Sequence, residues 1–378
     1  MAMIATMCHK TCFVRCAAVA RSLATVTARR PVVAVFSGAN IELEQAQLAD
    51  VADLLHVPGQ SWDSVPAAVL SQAEAALVWR MSGTLGEATL ARFDRLRSVV
   101  RVGVGYESVD LEAAATAGIA VSNTPAYGVE EVADTAMAHI LCLYRRTHLL
   151  ASGVASGRIV SSLNSVVQRE AVGATRMRGQ SLGIIGLGRI GANVARKAQA
   201  FGFRVGFYDP HLPDGTETSH GGLTRHGSLG DLLAQSDCIS LHATYNPSSH
   251  HLLSAASLAR ARRGVHVVNT ARGGLIDDGA LAEALASGAV GGAALDCQES
   301  EPDIGDPSRP SPYLALLQAE EATQISPTTS RGRSLAWART RRASSASFPR
   351  SARSARWGCA TPASATAATT AAYSQRRT

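Results

Sequence analysis

The sequence has no uninterrupted apolar run near the ~18 residues a bilayer crossing needs. Its best candidate, 136–144, contains His139 and is flanked by acids and arginines, so a membrane-spanning protein is not expected. The seven cysteines are odd in number and no two are spaced C-x-x-C. That excludes a disulfide framework and fits a reducing compartment. Cys8, Cys12 and Cys16 repeat every fourth residue beside His9. Without a paired C-x-x-C they do not predict zinc, and no metal is expected elsewhere.

Acids are missing from both ends. Residues 1–30 carry five cations and no acid, and residues 322–378 carry ten arginines and no acid. The net charge of +6 therefore hides a middle, 31–321, with 21 cations against 30 acids, or about −9. An acidic core is a poor ligand for phosphate backbones, so direct nucleic-acid binding by the core is not expected.

At 378 residues and 39.4 kDa the chain exceeds what one hydrophobic core serves, and two domains are expected. With 46% hydrophobic residues, 17% charged and 33 glycines, the composition is that of a soluble globular protein. Residues 1–30 have the composition of an organelle transit peptide, which keeps a mitochondrial address open. From Pro31, short β-rich runs at 32–36, 76–79, 99–104 and 119–121 alternate with helix-length stretches such as 41–55 and 86–96. Such alternation implies a parallel sheet covered on both faces, a first α/β domain over 31–125.

A single helix is expected over 129–150. Glu130, Glu131 and Asp134 stand in its first turns and Arg145, Arg146 and His148 in its last, as the helix dipole favours. A second alternating series runs from Leu182 to Asp296, which gives a second α/β domain over 126–302. Beyond Pro302 the periodicity fails, and residues 303–378 are expected to be irregular or disordered.

The chemistry concentrates in the second domain. Leu182, Gly183, Ile184 and Ile185 form a buried-strand run that enters Gly186, Leu187, Gly188, Arg189, Ile190 and Gly191, followed by helix-forming residues. Strand, G-x-G-x-x-G and helix in that order predict a dinucleotide diphosphate bound at a helix N-terminus. The next strand, 204–208, ends in Asp209, placed to hold the hydroxyls of the adenosine ribose. Its carboxylate would repel a 2′-phosphate, and NAD(H) is the expected cofactor. A third strand, 265–269, runs into Thr270, Ala271, Arg272, Gly273 and Gly274. Arg272 thus stands at a strand's carboxyl end, where its fork can take a substrate carboxylate, and the paired glycines are expected to let a ligand approach. A fourth, 293–295, ends in Asp296 and continues to Glu299, Ser300, Glu301 and Pro302.

These residues resemble the D-isomer-specific 2-hydroxyacid dehydrogenases, and among them the C-terminal-binding protein branch of NAD(H)-binding transcriptional corepressors. The resemblance runs through 101–110, 139–147, 178–210, 236–253, 267–277 and 292–302, and covers about 31–302. It implies two doubly wound parallel-sheet domains, flavodoxin-like first and Rossmann second. Arg272 would anchor the substrate carboxylate of a small 2-keto or 2-hydroxy acid. Glu301 would partner a catalytic histidine, with Glu299 the second choice. Besides Gly186 to Gly191 and Asp209, the resemblance implies cofactor contacts from Ala243, Thr244, Asn246, Ser249, Thr270, Ala271, Asp296 and the turn at Val104. It further implies a homodimer, a first-domain groove for short peptide motifs of transcription factors, and residence in nucleus and cytoplasm.

One departure is central. The family's catalytic histidine follows that glutamate in a Pro-His segment, whereas this chain has no histidine after His266. His242, His250 and His251 match family positions that are not the acid-base residue. Two expectations follow: a corepressor-like scaffold with impaired catalysis, or an NAD-dependent dehydrogenase whose coding sequence is frameshifted. A shifted frame near Ser326, Pro327, Thr328 and Thr329 can yield Pro-His-Asn.

Overall fold

A computed structural model describes residues 29–59, 61–79, 81–148 and 174–299, together with the backbone of 323–325. The first sheet contains β1 (Val32–Phe36), β2 (Asp53–Val57), β3 (Ala75–Val78), β4 (Ser98–Arg101) and β5 (Ala120–Asn123). All neighbours are parallel, in the order β2-β1-β3-β4-β5. This is the flavodoxin-like winding. Strand alternation divides the core in two. Ala34 and Phe36 pack with Trp62, Leu70 and Leu85 on one face, while Val33 and Val35 pack with Ile41 and Leu48 on the other.

The second sheet contains β6 (Ser181–Ile185), β7 (Arg204–Tyr208), β8 (Thr224–Arg225), β9 (Cys238–Leu241), β10 (Val265–Asn269), β11 (Val290–Leu295) and β12 (Thr323–Ile325). Its order is β12-β11-β10-β9-β6-β7-β8, again parallel throughout. Winding proceeds outward from β6 in one direction and then from β9 in the other, as in dinucleotide-binding folds, which leaves a crevice at their carboxyl ends. The helices Val129–Arg145 and Arg189–Ala200 cover one face, burying Ile140, Tyr144 and Val194 with Leu182, Ile184 and Phe207. Ile185, Ile239 and Leu241 face the other way, with Leu232, Leu233 and Leu281.

Several boundaries differ from the expected ones. The helix expected over 41–55 is Glu42–Leu48, and the chain then enters β2, an edge strand that its neighbour β1 completes through backbone pairing. Side-chain periodicity carries little information there, because β2 buries only Val57 fully. The helix expected over 86–96 is Glu87–Leu90. β4 stops at Arg101 rather than at 104, ahead of Gly103 with φ +157°. The helix over 129–150 ends at Arg145, where Arg146 turns left-handed at φ 52° and returns its amide to the Cys142 carbonyl. Within the tail expected to be irregular, Thr323–Ile325 pairs with β11.

Candidate cofactor and substrate site

The glycine turn sits at the point where the second sheet reverses its winding. Gly186 leaves β6 at φ +88°, and a Cβ there would lie 2.8 Å from the backbone of Ala243, which follows β9. Both the left-handed conformation and the close crossing require glycine. Gly191 has an equally strict packing role: a Cβ would lie 2.2 Å from the Gly186 carbonyl oxygen. Gly188 differs, since a Cβ there meets nothing within 4 Å. It precedes the helix Arg189–Ala200, whose first turn has neither a side-chain cap nor an acid. The uncapped amides and the open space over Gly188 suit a diphosphate.

Asp209 closes the other side. One carboxylate oxygen accepts the Leu187 amide at 3.0 Å and the other accepts the His211 amide at 3.0 Å. Each oxygen keeps a lone pair for a ribose hydroxyl. Beyond β10, the buried Asn269 braces the next turn, donating to the Arg272 carbonyl at 2.9 Å and accepting the Ala271 amide at 3.0 Å. The Thr270 hydroxyl oxygen is buried without a partner among the described residues, as suits a group that meets a bound molecule. These features fit a dinucleotide laid across the carboxyl ends of β6, β7, β9 and β10.

Thr244, Asn246 and Ser249 form a self-braced loop. The Ser249 hydroxyl donates to the Thr244 carbonyl at 2.8 Å and accepts the Asn246 amide at 2.8 Å. Asp296 is placed by its amide on the Asn269 carbonyl at 2.9 Å. The exposed Val104 is held by the Asn123 side chain on its carbonyl at 2.8 Å. Glu301 lies outside the described residues.

Arg272 reaches across to the segment that follows β4. Its Nε donates to Glu107 Oε1 at 2.6 Å, and a Cβ at Gly105 would lie 1.8 Å from the guanidinium. Burial of Glu107 opposes its ionisation. The hydrogen bond from Arg272, its own backbone amide and the charges of Arg272 and Arg101 outweigh that and hold the carboxyl below the usual range. Sequence reasoning did not single out Glu107. Its signal was an acid four residues past a strand-end glycine, which gains meaning only once the two sheets are placed.

A Cβ at Gly273 would lie 2.1 Å from the Gln298 backbone, and one at Gly274 would lie 2.7 Å from the Tyr245 ring. In each case the space of the missing side chain is filled by a neighbouring segment. Around them, His251 Nε2 meets Glu299 Oε1 at 2.9 Å, so Glu299 has a histidine partner. His242 is held neutral by burial, its pKa lowered to about 4, and its Nε2 lies 2.9 Å from the Ser240 hydroxyl.

Residues 137–320 match the family described as D-isomer specific 2-hydroxyacid dehydrogenase, NAD binding domain. C-terminal-binding protein 1 of Caenorhabditis elegans is 38% identical over 271 residues, covering 72% of this chain and 37% of that protein. D-3-phosphoglycerate dehydrogenase of Mycobacterium bovis is 36% identical over 262 residues, covering 69% of this chain and 47% of that protein. The chain thus spans less than half the length of either relative. The D-lactate dehydrogenase of Aquifex aeolicus, solved with NAD and lactic acid, superposes with a TM-score of 0.67 at 28% identity, over 78% of this chain and 87% of that one. The glycine turn at the winding reversal, the acid that ends β7 and these likenesses together place the chain in the D-isomer-specific 2-hydroxyacid dehydrogenase family, with NAD(H) as its cofactor.

Proposed function

We propose that the protein is an NAD(H)-responsive scaffold for transcriptional repression, akin to the C-terminal-binding proteins, whose dehydrogenase chemistry is slow. The observation that supports the reading is the Gly186 to Gly191 turn with Asp209 held against it, in a chain that has no histidine after His266. In this reading residues 31–125 form the substrate- and peptide-binding domain and 126–302 the cofactor domain. The protein acts as a homodimer in nucleus and cytoplasm.

At the site, NAD(H) would supply or accept a hydride at the carbon bearing the substrate's hydroxyl or keto oxygen. Arg272 would orient the substrate by its carboxylate, releasing Glu107 as it does so. Amides at the start of the helix Arg189–Ala200 would hold the diphosphate, and Asp209 the adenosine ribose. No proton donor is assigned to the substrate oxygen, and lacking a positioned acid-base typically forfeits ~10²- to 10⁴-fold in rate.

The test is NADH oxidation by the purified chain with glyoxylate, pyruvate and hydroxypyruvate, alongside gel filtration with and without NADH. The scaffold reading expects slow turnover and a dimer favoured by cofactor. Turnover in the ordinary range of ~1–10³ s⁻¹ would overturn it. That outcome would favour a metabolic 2-keto acid reductase whose coding sequence is shifted near Ser326 to Thr329, where another frame can yield Pro-His-Asn. Sequencing the transcript through that segment separates the two.

A further inference from the structure

We propose that His250, His251 and Glu299 form a binding site for a divalent d-block cation of the zinc class, next to the loop that ends at Ser249. One donor atom from each of the three residues lies within 4.8 Å of the other two, and His251 Nε2 is already 2.9 Å from Glu299 Oε1. Donors around a tetrahedral zinc ion stand about 3.3 Å apart, so binding a metal requires the stacked histidine rings to swing apart until a nitrogen of each faces the ion. Two imidazoles and a carboxylate suit zinc, and three protein ligands leave a position for water.

The backbone holds these groups together from two distant parts of the chain. Consecutive side chains of an extended segment point to opposite sides, yet the His250 and His251 rings stack with centroids 3.7 Å apart and planes 25° apart. The left-handed conformation of His251, φ 52°, brings them to one side. The His251 amide donates to the Gly274 carbonyl at 2.9 Å, and the Gln298–Glu299 backbone lies against Gly273. One glycine pair therefore sets both ligand-bearing segments. The Tyr245 hydroxyl lies 3.3 Å from His250 Nδ1 and steadies that ring from behind, as outer partners of metal ligands do. A hydrogen bond between His251 and Glu299 satisfies two of the three groups, whereas a cation satisfies all three. The about −9 charge of residues 31–321 favours a cation.

The experiment is equilibrium dialysis of the full chain against micromolar zinc followed by elemental analysis. Cys8, Cys12 and Cys16 are replaced by serine in every sample, so that thiols near His9 do not contribute. Glu299→Gln and His251→Asn are compared with that background, asparagine being tolerant of the left-handed backbone. The proposal expects one zinc per chain in the background and none in either variant, with NADH binding retained in all three. Cobalt in place of zinc should give visible ligand-field bands without a thiolate charge-transfer band. An unchanged zinc count in Glu299→Gln, or no zinc in the background, overturns the proposal. Neither result bears on the NAD(H) assignment, which the NADH titration reads separately.

Discussion

Replacing Gly188 and Gly191 by alanine, one at a time, separates a glycine needed for the ligand from one needed for the fold. Gly188 has φ −74° and ψ −164°, a conformation open to any residue, and its added methyl meets nothing within 4 Å. Gly188→Ala should therefore melt close to the parent when no cofactor is present. The methyl would occupy the space a diphosphate needs, costing one amide bond to a charged oxygen, about 1.5–3 kcal/mol, or a 10- to 150-fold weaker NADH affinity. Gly191→Ala drives a methyl to 2.2 Å from the Gly186 carbonyl oxygen, a contact between two backbones that no side-chain rotation relieves. Such overpacking costs about 1–3 kcal/mol, which lowers Tm by about 2–10 °C in a domain of this size. Differential scanning fluorimetry and NADH fluorescence titration read the two effects independently. A destabilised Gly188→Ala that binds NADH normally would refute the placement of the diphosphate.

Acid should destabilise the protein before its carboxylates titrate. Burial lowers the pKa of His242 and His266 to about 4, helped at His266 by the charge of Arg146, whereas both take up protons near 6.5 when unfolded. The unfolded chain then binds more protons between pH 6.5 and 4, so stability is complete above pH 6.5 and falls as pH drops through that window. With both rings largely buried, the loss by pH 5 should be about 2 kcal/mol for each. Urea midpoints at pH 7.5 and 5.0 check this, and an equal or higher midpoint at pH 5.0 would contradict it. At the substrate end, Arg272→Ala should weaken oxamate binding to the NADH complex by about 10- to 150-fold. Glu107→Gln should tighten it, because it removes the carboxylate that now occupies the guanidinium. Fluorescence titration with oxamate tests both, and unchanged affinity in Arg272→Ala would remove Arg272 as the anchor.

The second sheet was the more legible part of the sequence. Its inner strands are buried on both faces and read as apolar runs, and Gly186 to Gly191 sits where strand gives way to helix. The first sheet was read less well at β2, where pairing with β1 decides the structure and side-chain pattern contributes little. Helix lengths were overestimated at 41–55, 86–96 and 129–150; in the last, the left-handed turn at Arg146 ends the helix while the apolar pattern continues. Arg272 was found from its position after a strand. Glu107, Asn269 and the pairing of His251 with Glu299 were not, since each depends on which distant segment packs beside it. Gly273 and Gly274 were recognised as a place of close approach, but a glycine pair does not reveal which segments of the chain come close.

Calorimetric titration of the full chain with NADH, repeated with NADPH and with Asp209→Ala, tests the central assignment most directly. Saturable heat with about one NADH per chain, weaker binding of NADPH and a clear loss of NADH affinity in Asp209→Ala are predicted, since the carboxylate that ends β7 favours ribose hydroxyls over a 2′-phosphate. Absence of heat with NADH on folded protein, or tighter binding of NADPH than of NADH, would contradict the account.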